Sequence, residues 1–140
     1  MADEATISVS LTIRKGDNQF RQQRTFRADV ALFKGPSPGA ITVTTDGVDV
    51  DLSQLSQPGL CVLTNLDATN YVEYGIREPD TSTFYPLGEI LPGESYVVRL
   101  SRNLQEEYLG TGTSTSSPTN FFHLKANGAS VNVDVSAFDS

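Results

Sequence analysis

Short runs of alternating apolar and polar residues make up most of this chain, and turn-forming residues interrupt them at close intervals. The clearest run is "ATISVSLTIR" at 5–14, and "RTFRADVAL" at 24–32 repeats the pattern. A two-residue period is that of a β-strand with one face buried and one face in water. "KGDN" between the two runs predicts a turn. We expect these side chains to point inward: Ile7, Val9, Leu11, Ile13, Phe26, Ala28 and Val30.

Two dipeptides predict tight hairpins. Asp46-Gly47 lies inside "AITVTTDGVDVDL", and Asn127-Gly128 separates "NFFHLKA" from "ASVNVDVSAF". Both favour the positive φ angles that primed turns need. The continuous apolar run from Leu60 to Leu63 predicts a strand buried on both faces. Only "RNLQEEYLG" could be helical, and it is short.

These signals add up to about nine or ten short strands and no convincing helix. We predict an all-β fold, a single-domain jelly roll or β-sandwich of about eight to ten antiparallel strands spanning 1–140. Strand rhythm does not distinguish the two architectures. The Ser/Thr-rich stretch at about 110–119 predicts an exposed loop.

The charge is distributed unevenly. The chain carries a net −7, yet residues up to Lys34 include six basic and four acidic side chains, against four basic and thirteen acidic from Gly35 onward. An acidic body argues against nucleic acid as a partner. The basic N-terminal segment predicts docking on an acidic protein surface. The alternative is that these charged side chains lie on strand faces that are exposed to water and bind no partner.

No nucleophile–base pair or metal-ligand set can be assembled from one cysteine and one histidine. The chain has one cysteine, Cys61, in an apolar run, and one histidine, His123. Asp46, Asp49 and Asp51 resemble part of a calcium loop but lack its spacing and distal glutamate. We expect no enzyme, cofactor, metal or small-molecule substrate, although carboxylates brought together by folding leave a hydrolase open.

The N-terminus and hydropathy predict a chain with no membrane partner. "MADEATIS" lacks the pattern of a secretion signal, no stretch is long enough to cross a membrane, and a single thiol excludes an internal disulfide. We therefore expect synthesis in a reducing cytoplasm.

Two stretches in the middle of the chain contain residue types that are common in binding sites. The polar insert at 65–70 predicts a bend between strands, since Asn and Asp bond their own backbone. Tyr71, Tyr74 and Tyr85, with Phe84, predict core or subunit-interface packing. The alternative for these aromatic residues is sugar stacking in a carbohydrate-binding module.

"GLCVLTNLDATNYVEYG" followed by "TFYPLGEILPGESYVVRLS" resembles a pattern in small β-rich structural proteins of tailed bacteriophages. The resemblance covers roughly 59–101, and the chain after Arg102 matches no known pattern. It is greatest to capsid cement, or decoration, proteins with jelly-roll folds.

The resemblance implies a virion structural protein that binds and stabilises the major capsid protein shell. Such a protein is made in the host bacterial cytoplasm and ends on the outer surface of the capsid as a homo-oligomer, a dimer or trimer. A neck, tail or fibre component is the alternative within the virion. For the contact with the shell, the basic segment suggests Arg21, Arg24 and Arg27.

Overall fold

The computed structural model describes residues 4–29, 35–79, 81–102, 104 and 120–139. Within these ranges the fold is all-β, with ten strands and no helix, as predicted. The Ser/Thr-rich stretch at 110–119, most of "RNLQEEYLG" and Val30 lie outside the described residues. The strands are β1 (Ala5–Lys15), β2 (Asn18–Ala28), β3 (Ser37–Val43), β4 (Val48–Asp49), β5 (Pro58–Asn65), β6 (Val72–Arg77), β7 (Phe84–Ile90), β8 (Ser95–Arg99), β9 (Phe121–Ala126) and β10 (Val131–Asp139).

The chain forms two compact units, Met1–Ala31 and Leu32–Ser140. In the first, β1 and β2 pair antiparallel in continuous register from Ala5↔Ala28 to Lys15↔Asn18. Gly16, with φ 58°, and Asp17 close the ribbon, which confirms the predicted turn.

The predicted burial of this ribbon's apolar face is wrong for most of its residues. Ile7 is buried and Ala28 partly so, but Val9, Leu11, Ile13 and Phe26 are each about half exposed, between 49% and 52%. Alternation determines which side chains share a face, whereas burial needs a second layer on that face. The described residues of this unit supply the ribbon alone.

In the second unit, two four-stranded antiparallel sheets form a β-sandwich. The first sheet has the order β3-β10-β5-β8 and the second β4-β9-β6-β7. Their inner faces alternate buried apolar side chains, as two packed sheets require. The largest of these side chains include Val43, Leu63, Val72, Ile90, Leu124, Val133 and Val135.

Strand pairing in the sandwich is nested. β3 pairs with β10, β4 with β9, β5 with β8, and β6 with β7. Consecutive strands β3 and β4 therefore lie in different sheets, and so do β9 and β10.

The two predicted hairpins are consequently wrong. Gly47 and Gly128 adopt the positive φ angles that were predicted, 93° and 73°. These turns carry the chain from one sheet to the other instead of pairing neighbouring strands. Turn chemistry sets the local backbone angles, while the burial of apolar faces decides which strands pair.

The apolar run in β5 is not buried on both faces as predicted. Cys61 and Leu63 point into the core and are fully buried, whereas Leu60 and Val62 are only partly buried. The outer face of the first sheet is thus apolar at Leu60 and Val62, and these side chains remain partly exposed to solvent.

Candidate functional site

The ribbon formed by residues 5–28, called the arm below, has two chemically different faces. Residues directly opposite each other in an antiparallel pair lie on the same face. The register therefore places these side chains on an apolar face: Ala5, Ile7, Val9, Leu11, Ile13, Phe20, Gln22, Arg24, Phe26 and Ala28, with Lys15 and Asn18 beside the turn. It places these on a polar face: Thr6, Ser8, Ser10, Thr12, Arg14, Gln19, Arg21, Gln23, Thr25 and Arg27.

The structure separates the three arginines suggested as partner contacts. Arg21 lies opposite Thr12 and Arg27 opposite Thr6 on the polar face, while Arg24 lies opposite Val9 among apolar side chains. Between residues 5 and 28 the sequence contains five cations and one carboxylate, Asp17 in the turn. The arm is thus a cationic ribbon, and Arg21, Arg24 and Arg27 cannot all meet one flat surface.

A second candidate is the ionic cluster of Asp49, Arg77 and His123 on the outer face of the second sheet. Arg77 donates from Nε to Asp49 Oδ1 at 2.8 Å and from Nη2 to Oδ2 at 2.6 Å. His123 Nδ1 lies 2.8 Å from the same Oδ1. The fork of a guanidinium matches the two oxygens of a carboxylate, which makes this the stronger kind of ion pair.

Aromatic rings and a glycine enclose the cluster. His123 is 5% exposed and packs against the ring of Phe84, with centroids 4.9 Å apart. The guanidinium of Arg77 lies over the ring of Phe121 at 4.7 Å. Gly47 lies against the imidazole so closely that a Cβ there would overlap Nε2.

The geometry of the cluster favours a structural tie. β4 has two residues and pairs only with β9 in the sheet order, and Asp49 connects it by side chain to both β9 and β6. Ser82 lines the same open depression as His123, but no hydrogen bond joins the two in the described chain. Arg77 already occupies both carboxylate oxygens. The cluster therefore lacks the relay from carboxylate through histidine to nucleophile that acyl transfer uses.

The sequence did not predict this cluster, because Asp49 was considered only as part of a stretch that resembles a calcium loop and His123 was given no role. The two residues are 74 positions apart, and nothing local connects them. The available signal was that Asp49, Arg77 and His123 all occupy outward positions of strands.

The cluster makes the free energy of unfolding depend on pH in the acid range. Burial raises the pKa of Asp49, but hydrogen bonds from Arg77 and His123 outweigh it and hold the pKa below its usual 3.8. A carboxyl whose pKa is lower in the folded than in the unfolded state stabilises the fold at pH values above its unfolded-state pKa. This stabilisation is lost as the pH falls through the folded-state pKa. We expect Asp49→Asn to be less stable than the wild type at pH 7, with the gap narrowing below about pH 4. Urea unfolding at both pH values measures this.

Asp46→Asn is the matched control, because it removes the same charge from the adjacent turn without touching Arg77 or His123. A gap between Asp49→Asn and the wild type that stays constant from pH 7 to acid would contradict the role given to Asp49.

The three tyrosines occupy different environments. Tyr74 is partly buried and packs against the core. Tyr71 is partly buried beside β6. Tyr85, on β7, is 49% exposed and is not a core residue. A subunit interface for Tyr71 or Tyr85 stays a prediction.

The polar insert at 65–70 is a bend between β5 in one sheet and β6 in the other, as predicted. Asn65 is buried, and its Nδ2 donates to the carbonyls of Asn70 and Ile90. Its Oδ1 accepts from the backbone N–H of Asp67, whose own carboxylate accepts from the N–H groups of Thr69 and Asn70. Both polar side chains at the start of the bend are thus used in holding it.

Other candidate chemistry finds no support in the described residues. Burial, with the charge of Asp134, raises the pKa of Cys61 to about 12, so its thiol stays protonated at neutral pH. The described ranges contain no group of three or more potential metal ligands. They also contain no helix long and apolar enough to cross a membrane.

Comparison with known protein families, with curated proteins and with solved structures finds no match to this chain.

Proposed function

We propose that this chain is a virion structural protein of a tailed bacteriophage, a cement or decoration protein that binds the major capsid protein shell through the polar face of its arm. One observation carries the proposal. The arm is a ribbon of two eleven-residue strands with nearly all its side chains exposed. An isolated two-stranded ribbon is marginally stable in water, so a long one points to a role in contact with another protein.

The sandwich supports the same proposal. Nested pairing of eight strands in two four-stranded sheets supports a jelly roll, the fold that the resemblance to cement proteins implies. Such a protein needs a stiff scaffold and a contact that repeats over many symmetry-related copies.

The polar face of the arm offers the chemistry for such a contact. Arg21 and Arg27 lie six residues apart on one strand, which corresponds to about 20 Å. Arg14 lies on the same face of the other strand. A row of cations of this kind steers a protein towards an acidic surface and sets its orientation there.

The copy number of the protein in purified phage particles tests the proposed location. Quantitative mass spectrometry against the major capsid protein gives the ratio. Hundreds of copies in a simple ratio to the shell subunit support a cement protein. Six or twelve copies would place the protein in the neck, tail or fibres instead. Absence from particles would overturn the virion proposal and favour the glycan-binding alternative.

We expect the double variant Arg21→Glu/Arg27→Glu to lose binding to shells purified without this protein. Both side chains are exposed, so the sandwich should unfold at the same temperature as in the wild type. Co-sedimentation with shells measures binding. Arg102→Glu, an exposed reversal outside the arm, is the control and should bind normally. Normal binding by the double variant would rule out the polar face as the contact.

A further inference from the structure

We infer that the apolar face of the arm binds the sandwich of a second copy of this chain, on the outer face of the second sheet, so that two copies exchange arms. This goes beyond the proposed function, which uses the other face of the arm and another protein.

The apolar face of the arm exposes large apolar side chains to solvent, and contact with another protein surface would bury them. Five large apolar side chains on it are each about half exposed: three follow one another along β1, and two lie towards the ends of β2, on either side of Gln22 and Arg24. They are Val9, Leu11, Ile13, Phe20 and Phe26, at 49–52%. Contiguous apolar surface of this kind marks a protein–protein contact.

Charge favours the sandwich of a second copy as this partner surface. The apolar face carries two cations, Arg24 and, beside the turn, Lys15, and the register places no carboxylate on it. Two arms packed face to face would bury these cations with nothing of opposite sign. The sequence from residue 35 onward carries thirteen acidic and four basic side chains, so the sandwich of another copy is complementary to the arm.

The outer face of the second sheet presents two neighbouring carboxylates. Glu73 on β6 and Glu89 on β7 are directly opposite each other in the register. Like charges at such positions destabilise a strand pair. Lys125 is opposite Glu73 on the other side, yet no ion pair joins them in the described chain. A guanidinium placed between the two glutamates would relieve their repulsion.

Exposed apolar surface adjoins these carboxylates. Leu87 lies in β7 between Pro86 and Gly88, where the pairing with β6 shifts register. At 72% exposed, it is more open than any other large apolar side chain in the described ranges. β7 is an edge strand of its sheet. This surface therefore combines apolar and acidic groups, as the arm combines apolar groups with Arg24.

Area decides between arm-to-arm packing and arm exchange. A ribbon of two eleven-residue strands covers about 350 Å². Two arms packed on each other would bury roughly 700 Å² in total, below the ~1,000 Å² expected of a stable interface. In a reciprocal exchange each copy gives an arm and receives one, which doubles the total to about 1,400 Å² and reaches the usual range.

A charge swap tests the inference on the full-length chain without shells. Sedimentation velocity over a concentration series gives the dimer dissociation constant. We expect Arg24→Glu and Glu89→Arg each to raise it about tenfold or more. The double variant Arg24→Glu/Glu89→Arg should return it to near the wild-type value. Both residues are exposed, so thermal unfolding should stay unchanged in all three.

Arg21→Glu is the matched control on the opposite face of the same strand, and it should leave the dissociation constant unchanged. A wild-type chain that is monomeric at every concentration would overturn the inference. So would single variants without effect, or a double variant no better than either single. Homotypic disulfide formation by Leu11→Cys would show arm-to-arm packing and overturn it as well. None of these outcomes bears on shell binding through Arg21 and Arg27, so the two proposals fail separately.

Discussion

Replacing Asn65 by alanine is expected to lower the free energy of unfolding by about 3 kcal/mol. Asn65 is 1% exposed, and its side chain makes three hydrogen bonds to backbone groups of three residues. Alanine would leave the carbonyls of Asn70 and Ile90 and the N–H of Asp67 without these partners, in a place that water reaches poorly. An unmade hydrogen bond on a buried group costs more than a made one contributes.

Chemical denaturation of Asn65→Ala measures the loss, and the melting temperature should fall by about 10 °C. Asn132→Ala is the control, since Asn132 is exposed and accepts a single hydrogen bond from Thr42. We expect that change to cost less than about 0.5 kcal/mol. If the two variants were equally stable, the three side-chain hydrogen bonds of Asn65 would contribute no more to stability than the single bond of an exposed residue.

The role of this bend was predictable from the sequence, because its causes are local. Asp67 bonds the N–H groups two and three residues ahead, as Asx turns do. The bond from Asn65 to Ile90 was not predictable, because it depends on β7 passing beside the bend. A local pattern gives the bend, and tertiary packing makes it important for stability.

The same distinction explains the errors at the two predicted hairpins. Gly47 and Gly128 have the backbone angles that their dipeptides predict. Pairing, however, depends on where eight apolar faces can be buried together, and the nested order separates β3 from β4 and β9 from β10. No short window of sequence contains that information.

The arm shows the limit of alternation as a guide to burial. The register of β1 with β2 pairs Ile7 with Phe26 and Thr6 with Arg27, in agreement with the faces predicted for these residues. Period-two patterning cannot tell a face covered by the same chain from a face kept for a partner. This is why the apolar side chains from Val9 to Ile13 were predicted as core and are half exposed.

The ionic cluster could not be predicted for a related reason. Asp49, Arg77 and His123 come from strands that are neighbours in the sheet order β4-β9-β6 but distant in sequence. Only the nested pairing brings them together. Until that order is known, each residue is indistinguishable from an ordinary polar group on the wet face of a strand.

Gly75→Ala is expected to cost about 3 kcal/mol, although the change adds one methyl group. Gly75 lies in β6 where the register with β7 shifts, opposite Pro86 on one side and His123 on the other. A Cβ there would overlap the carbonyl oxygen of Tyr85 and lie 2.9 Å from the Cα of Pro86. Both atoms belong to the backbone of β7, so relief requires the two strands to move apart. Glycine inside a strand often marks such a close approach.

Gly88→Ala is the matched control on the facing strand. A Cβ at Gly88 would meet the ring and hydroxyl of Tyr74, 2.6 to 2.9 Å away, and a side chain can move where a backbone cannot. We expect that variant to cost about 1 kcal/mol, measured by denaturant unfolding beside Gly75→Ala. An equal loss of unfolding free energy in the two variants would mean that the backbone of β7 moves away from an added methyl group as easily as the side chain of Tyr74 does. In that case the edge of the second sheet would be too pliable to receive an arm at one defined position. A larger cost at Gly75 indicates a rigid β6–β7 pair, which keeps Glu73 and Glu89 directly opposite each other, where Arg24 of a second copy would bind.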